Sequence, residues 1–209
     1  MKRFLIALFA FVAINSHAEI LVGAYDDEKE SQGTQFNIEW KGVNAEYTYI
    51  FPGDSKQNGH AVNIGGNTAF RLMESAPLFA VAGVNLHFAG YSSTEDNEDN
   101  LKCVAGIYIP LSVMYSIDLG IKKVTFEPMA GVNFGLNIFS KTSDNSAWIF
   151  TKDAYSWLIC GAHAGLSFVY DKKYVLGARY EKDLFGLGGM ELGDENKKSR
   201  ITVSLGYRF

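Results

Sequence analysis

The sequence predicts an all-β protein, a closed antiparallel transmembrane β-barrel. Three observations carry this: long runs of apolar/polar alternation, short and long polar connections that take turns between them, and a last strand ending on an aromatic residue. Period-two alternation gives an extended strand one apolar and one polar face. The last stretch has it throughout. Ile201, Val203, Leu205, Tyr207 and Phe209 alternate with Arg200, Thr202, Ser204, Gly206 and Arg208.

Bulk properties bound the alternatives. Mean hydropathy is −0.01, the kind of average a barrel gives when only every second strand residue faces lipid. Twenty-one glycines against four prolines, with eleven tyrosines and fifteen phenylalanines, favour strands and tight turns. Lys2 and Arg3, the apolar run Phe4–Ile14 and the small residues around Ser16-His17-Ala18 predict a signal peptide over residues 1–18, cleaved after Ala18. The barrel domain is then 19–209, and Glu19 in place of a cysteine argues against a lipid-anchored N-terminus. Beyond the leader no apolar run reaches the length of a spanning helix, so a membrane-spanning chain must be a barrel. The acidic balance, 23 Asp and Glu against 19 Lys and Arg, and the lack of a basic stripe exclude nucleic acid as partner.

Taken in order, Ile20, Val22 and Ala24 alternate within Glu19–Asp26, and Phe36, Ile38 and Trp40 alternate ahead of Lys41-Gly42. Val43, Ala45, Tyr47, Tyr49 and Phe51 follow in the opposite phase. A two-residue hairpin turn at Lys41-Gly42 accounts for the change of phase; a β-bulge at Gly42 is the alternative. The turn gives ten strands, the favoured count, with Glu19–Asp26 first. The bulge gives eight, beginning near Val43. Either even number brings both ends of the barrel to one side.

The remaining strands are clearer. Val62–Leu72, with Asn63, Asn67 and Arg71 inward, leads to Leu78–Phe88, with Asn85 and His87 inward. Cys103–Tyr115 opposes Lys102, Gly106, Tyr108 and Ser112, and Val124–Ile138 opposes Glu127, Gly131, Asn133 and Asn137. Leu158–Tyr170 and Tyr174–Tyr180 complete the set before the last strand. Glu74-Ser75-Ala76, Asp118–Lys123 and Asp171-Lys172-Lys173 are short links, whereas Pro52–Gly59, Ser92–Asn100, Ser140–Asp153 and Gly186–Ser199 are long. Tight periplasmic turns and longer external loops produce that rhythm in outer-membrane barrels. Tyr115, Tyr170, Tyr174 and Tyr207 fall at one predicted level, where an aromatic girdle belongs.

Four short motifs carry a family resemblance: Tyr108-Ile109-Pro110-Leu111, Glu127-Pro128-Met129-Ala130-Gly131, Gly177-Ala178-Arg179-Tyr180 and Gly206-Tyr207-Arg208-Phe209. Over roughly residues 60–209 the chain resembles the small, porin-like outer-membrane β-barrel family of Bacteroidetes-type bacteria. The resemblance implies a Gram-negative cell-envelope protein of the outer membrane. It also implies that Tyr207 and Phe209, in the closing strand, address the barrel-insertion machinery. Outer-membrane lipid and lipopolysaccharide are the partners expected around such a barrel, and any external ligand is left unspecified.

For chemistry, Glu127, His163, Arg179 and Glu181 share inward phases, with His87, Arg71, Glu46 and Arg200 also inward. Carboxylates beside a histidine could work as acid and base, but charges in a narrow interior also need one another as partners. A structural lumenal network is the expectation, with no catalytic, cofactor or metal site. Lipid A deacylases place His and Ser after an Arg-Tyr in a late strand; here Arg179-Tyr180 is followed by Glu181-Lys182-Asp183-Leu184. Cys103 and Cys160 lie on outward phases with a strand between them, too far apart for a disulfide. The acidic Ser92–Asn100 stretch lacks the spaced ligands of a calcium loop. Ala147-Trp148-Ile149-Phe150 either folds back onto the rim or offers a contact surface. The function expected is a non-enzymatic barrel, structural or acting through its external loops. A narrow passive channel is the alternative, and a lipid-modifying enzyme the remoter one. Bulky Trp157, Tyr108, Met129 and Arg179 on inward phases argue for a filled lumen.

Overall fold

The computed structural model describes residues 38–51, 57–93, 101–121, 123–142, 146–148, 158–187 and 197–209, all within the compact unit from Phe36 to Phe209. Its strands are β1 (Ile38–Ile50), β2 (Gln57–Arg71), β3 (Leu78–Ser93), β4 (Leu101–Tyr115), β5 (Ile117–Asp118), β6 (Val124–Thr142), β7 (Ser146–Trp148), β8 (Leu158–Tyr170), β9 (Tyr174–Leu187) and β10 (Ser199–Arg208). Eight are staves of one antiparallel barrel, and β5 and β7 are short segments folded back onto the two ends of β6. β4 pairs directly with β6. Closure is between β1 and β10, from Gly42 opposite Arg208 to Ile50 opposite Arg200.

The expectation of ten strands is therefore corrected to eight. β1 runs unbroken through Lys41-Gly42, so no hairpin turn forms there, and with β10 on one side and β2 on the other it has no edge left for a further strand. Residues 19–26, the expected first strand, and residues 1–18, the expected leader, lie outside the described residues. The change of phase has another cause. The ladder skips a residue between Ile38 and Trp40, a bulge at Glu39 rather than at Gly42. Trp40 follows the inward phase of Asn44 and Glu46 and stands in the lumen, its ring 3.8 Å from the Arg208 guanidinium.

The distribution of side chains is inverted relative to a water-soluble core. The wall exposes Ile64 (58%), Leu205 (64%), Phe88 (55%) and Leu176 (51%), while the interior buries Glu127 (2%), Glu181 (2%), Asp183 (1%) and Asn85 (1%). Small apolar clusters close each end of this polar interior. Ile50, Ala61 and Ala89 pack with Tyr91 at the long-loop end, and Ala69, Phe79 and Met114 pack with Trp40, Val81 and Met129 at the short-turn end. A stave of 13 residues such as β1, tilted as barrel strands are, rises about 33 Å, enough for an apolar band of about 25 Å.

Turn chemistry supports the staves. Asp171 and Lys172, at φ 52° and 60°, are the central residues between β8 and β9, and two successive positive φ values define the hairpin turn that matches strand twist. At the same end Tyr170, Tyr174 and Tyr207 form a contiguous outward band, with ring centroids 6.5 and 5.6 Å apart. Both cysteines are free. Cys103 pairs with Lys141 and Cys160 with Phe134, about 23 Å apart along β6 at strand rise.

Candidate functional site

The lumen concentrates the polar chemistry, because inward residues of every stave converge on a space too narrow for bulk water. Its centre is Arg179 on β9. Nη1 and Nη2 donate to the two carboxylate oxygens of Glu46 on β1, each at 2.7 Å, and Nε donates to Glu181 at 2.5 Å. Glu46 also accepts from Asn44 (2.9 Å) and Asn63 (3.0 Å). Glu181 accepts from Tyr108 (2.8 Å) on the far wall and Thr202 (3.1 Å). Multiple charge-assisted bonds of this kind are what make a buried carboxylate tolerable.

Towards the long-loop end, Arg200 makes a two-pronged contact with Asp183 at 2.7 and 2.8 Å, and the Lys198 amine lies 4.7 Å from the Tyr91 ring centre. Lys198 sits just ahead of β10 and is 2% exposed. Burial, then the neighbouring Arg200, pull its pKa down to about 8. Towards the short-turn end, Arg208 meets Glu127 at 2.9 and 2.5 Å, and Ser167 donates to the same carboxylate at 3.3 Å.

The four lumenal residues singled out from the sequence are thus divided. Arg179 and Glu181 are bonded to each other, whereas Glu127 belongs to a separate layer held by Arg208. His163 meets Ser112 through Nε2 at 2.8 Å. That is two thirds of a hydrolytic triad, but Nδ1 has no hydrogen-bond partner among the described residues, so no acid orients the ring. Asp183, Lys198 and Arg208 were not singled out. Parity with Arg179 and Glu181 would have placed Asp183 inward, and parity with Arg200 does place Arg208 there.

Among the described residues the lumen holds Arg179, Lys198, Arg200 and Arg208 against Glu46, Glu127, Glu181 and Asp183, four charges of each sign. Among the described residues the lumen leaves spaces that include one of about 80 Å³ beside Glu46 and Arg208 and one of about 20 Å³ beside Glu181 and Arg200. The Arg179 layer lies between them. Asn133, beside the smaller space, and Asn85 are each 1% exposed and keep side-chain atoms without a protein partner among the described residues; single waters, not a solvent column, suit such sites. Among the described residues no group of three His, Cys, Asp or Glu is placed to hold a metal ion.

No family model matches the chain and no curated protein does. The Bacteroidetes-type family expected from the four short motifs is therefore not shown. Among solved structures the chain is similar to the N-terminal β-barrel domain of Pseudomonas aeruginosa OprF, at 14% identity over 81% of this chain and 97% of that one, with a TM-score of 0.47. It is also similar to the Neisserial surface protein A, at 13% identity over 81% and 96% with a TM-score of 0.48. A third similarity is to the outer membrane enzyme PagL, at 10% identity over 80% and 98% with a TM-score of 0.49.

Proposed function

We propose that the protein is an outer-membrane barrel with a plugged lumen, serving as a structural element or through its external loops, without transport or catalysis. One observation carries the reading: the apolar wall and the charged, self-neutralised interior are the reverse of a soluble protein. A closed sheet with a lipid-compatible wall satisfies every backbone group in a bilayer. A 20 Å³ void and a buried Arg–Glu layer in series support a closed lumen over an open one. The Ser112–His163 pair lies inside the wall with no acid on Nδ1 among the described residues, which supports a structural role. The leader at residues 1–18 and the closing Tyr207 and Phe209 fit delivery across the inner membrane and hand-over to insertion machinery.

Two measurements test this. The protein should leave membranes only in detergent and shift its gel mobility on heating. Reconstituted into planar bilayers it should give no stable open steps. Extraction by salt or alkali would defeat the barrel, and steady conductance would defeat the plug.

A further inference from the structure

The outer wall carries one polar row near its long-loop end. Tyr49, His60, Gly90, Cys103 and Lys141 are successive Cα partners across β1, β2, β3, β4 and β6. The row directly towards the middle of the wall, Tyr47, Val62, Phe88, Ala105 and Phe139, lacks charge, and so does the next, Ala45, Ile64, Leu86 and Ile107.

A bulge completes the polar row. Straight alternation puts Lys102 inside the barrel. The register slips between Leu101 and Cys103, and Leu101 and Val104 are both buried at 3%, so the two residues between them both lie outward. Re-aiming a side chain is what bulges at barrel rims do. The slip brings Lys102 beside Lys141 on the adjacent strand, both exposed, and like charges so placed repel unless an anion lies between them. Among the described residues neither lysine has a carboxylate partner, and the described carboxylates nearest in height, Glu46, Glu181 and Asp183, face the lumen.

At the other end of the row Tyr47 Oη meets His60 Nδ1 at 2.5 Å, and Tyr49 stands edge-on to the ring at 5.3 Å. With the phenol donating to Nδ1, the ring's N–H is on Nε2, which is left to bond outward. Between the two ends Gly90 has open space where a side chain would stand. His60 and Lys141 are three strand spacings apart, about 14 Å.

We propose that this row is a docking site for an anionic glycolipid head group bearing two phosphates, one held by Lys102 and Lys141 and the other by His60. The sugar lies over Gly90 and the acyl chains run down the apolar rows. The inference rests on the membrane-barrel reading and goes beyond it by fixing one lipid to one patch of wall.

The test is capture of purified lipopolysaccharide by the mature chain folded in zwitterionic detergent, followed by native mass spectrometry, with phosphatidylglycerol as the competing anion. Each lysine near a lipid surface is worth about fivefold in affinity, so Lys102→Gln with Lys141→Gln should weaken capture about 25-fold. Gly90→Trp, which fills the notch without changing charge, should weaken it as well, and Lys102→Arg with Lys141→Arg should retain it. Lys41→Gln at the opposite rim and Lys182→Gln elsewhere on the wall should leave capture unchanged. Equal capture of phosphatidylglycerol, or a double glutamine variant within twofold of the parent, overturns the site. Heat-shifted mobility of the same samples separates the two readings: a barrel that shifts but captures nothing fails only here.

Discussion

Arg179 reaches over β10 to hold Glu46, so a side chain from β9 fastens the first stave of the barrel across the seam where the sheet closes. Both guanidinium prongs are used, and the third nitrogen holds Glu181. Removing one partner leaves an uncompensated charge in a dry interior. Arg179→Met should therefore cost about 3–5 kcal/mol, measured by chemical unfolding in detergent. The triple variant Arg179→Met, Glu46→Leu, Glu181→Leu should recover part of that loss, because it removes the orphaned carboxylates too.

Closure at Ile38–Ile50 predicts that residues 19–35 are dispensable for the barrel. A chain with residues 1–18 joined directly ahead of Phe36 should still assemble and show heat-shifted mobility at the parent's level. Loss of the folded band would restore the case for an earlier stave.

Gly131 allows two neighbouring strands to approach. A Cβ there would stand 1.9 Å from the Leu111 carbonyl oxygen and 2.7 Å from the Ser112 Cα. Backbone cannot move aside cheaply, so Gly131→Ala should destabilise the barrel by about 1–3 kcal/mol. Its effect is read against Gly66→Ala, where the nearest atom would be 3.3 Å away.

Lys198 gives a pH signature of known sign. Its pKa is about 8 in the fold against 10.5 ordinarily, so between those values the unfolded chain binds the extra proton. Stability then rises with pH through that window. The thermal midpoint of the parent should climb from pH 8 to 10.5 relative to Lys198→Met, and parallel curves would refute the burial of this amine.

Cys103 and Cys160 predict no change in mobility between reducing and non-reducing gels. An oxidised fast-running band would require the two to meet across β6.

Much of this architecture is legible because a barrel stave has one rule, and period two carries it from residue to residue. What breaks the rule is not legible. A bulge leaves no composition mark, so the slip at Glu39 reads as a turn and the slip at Lys102 passes unnoticed. Trp40 misleads for a related reason: it is apolar yet inward, stacked under Arg208. Inward phases of Glu127, His163, Arg179 and Glu181 follow from parity, but their partners do not. Glu127 finds Arg208 across 81 positions of chain, and such pairings follow only from how far each stave is sheared against the next. Residues 149, 150 and 157, and the acidic stretch 94–100, lie outside the described residues; the backbone of Ser146–Trp148 pairs back onto β6.

The seam contact also bears on how the barrel can be made. A sheet of the same strands left open at that seam would present Glu46 to hydrocarbon at one edge and the freed Nη1 and Nη2 of Arg179 near the other, while Arg200 keeps Asp183 on the neighbouring strand. Each such group is costly to expose there. Partial sheets are therefore poor membrane residents, and insertion and circularisation have to proceed as one event. Until β1 and β10 meet, the growing structure needs water, or a protein that provides it, on its inner face.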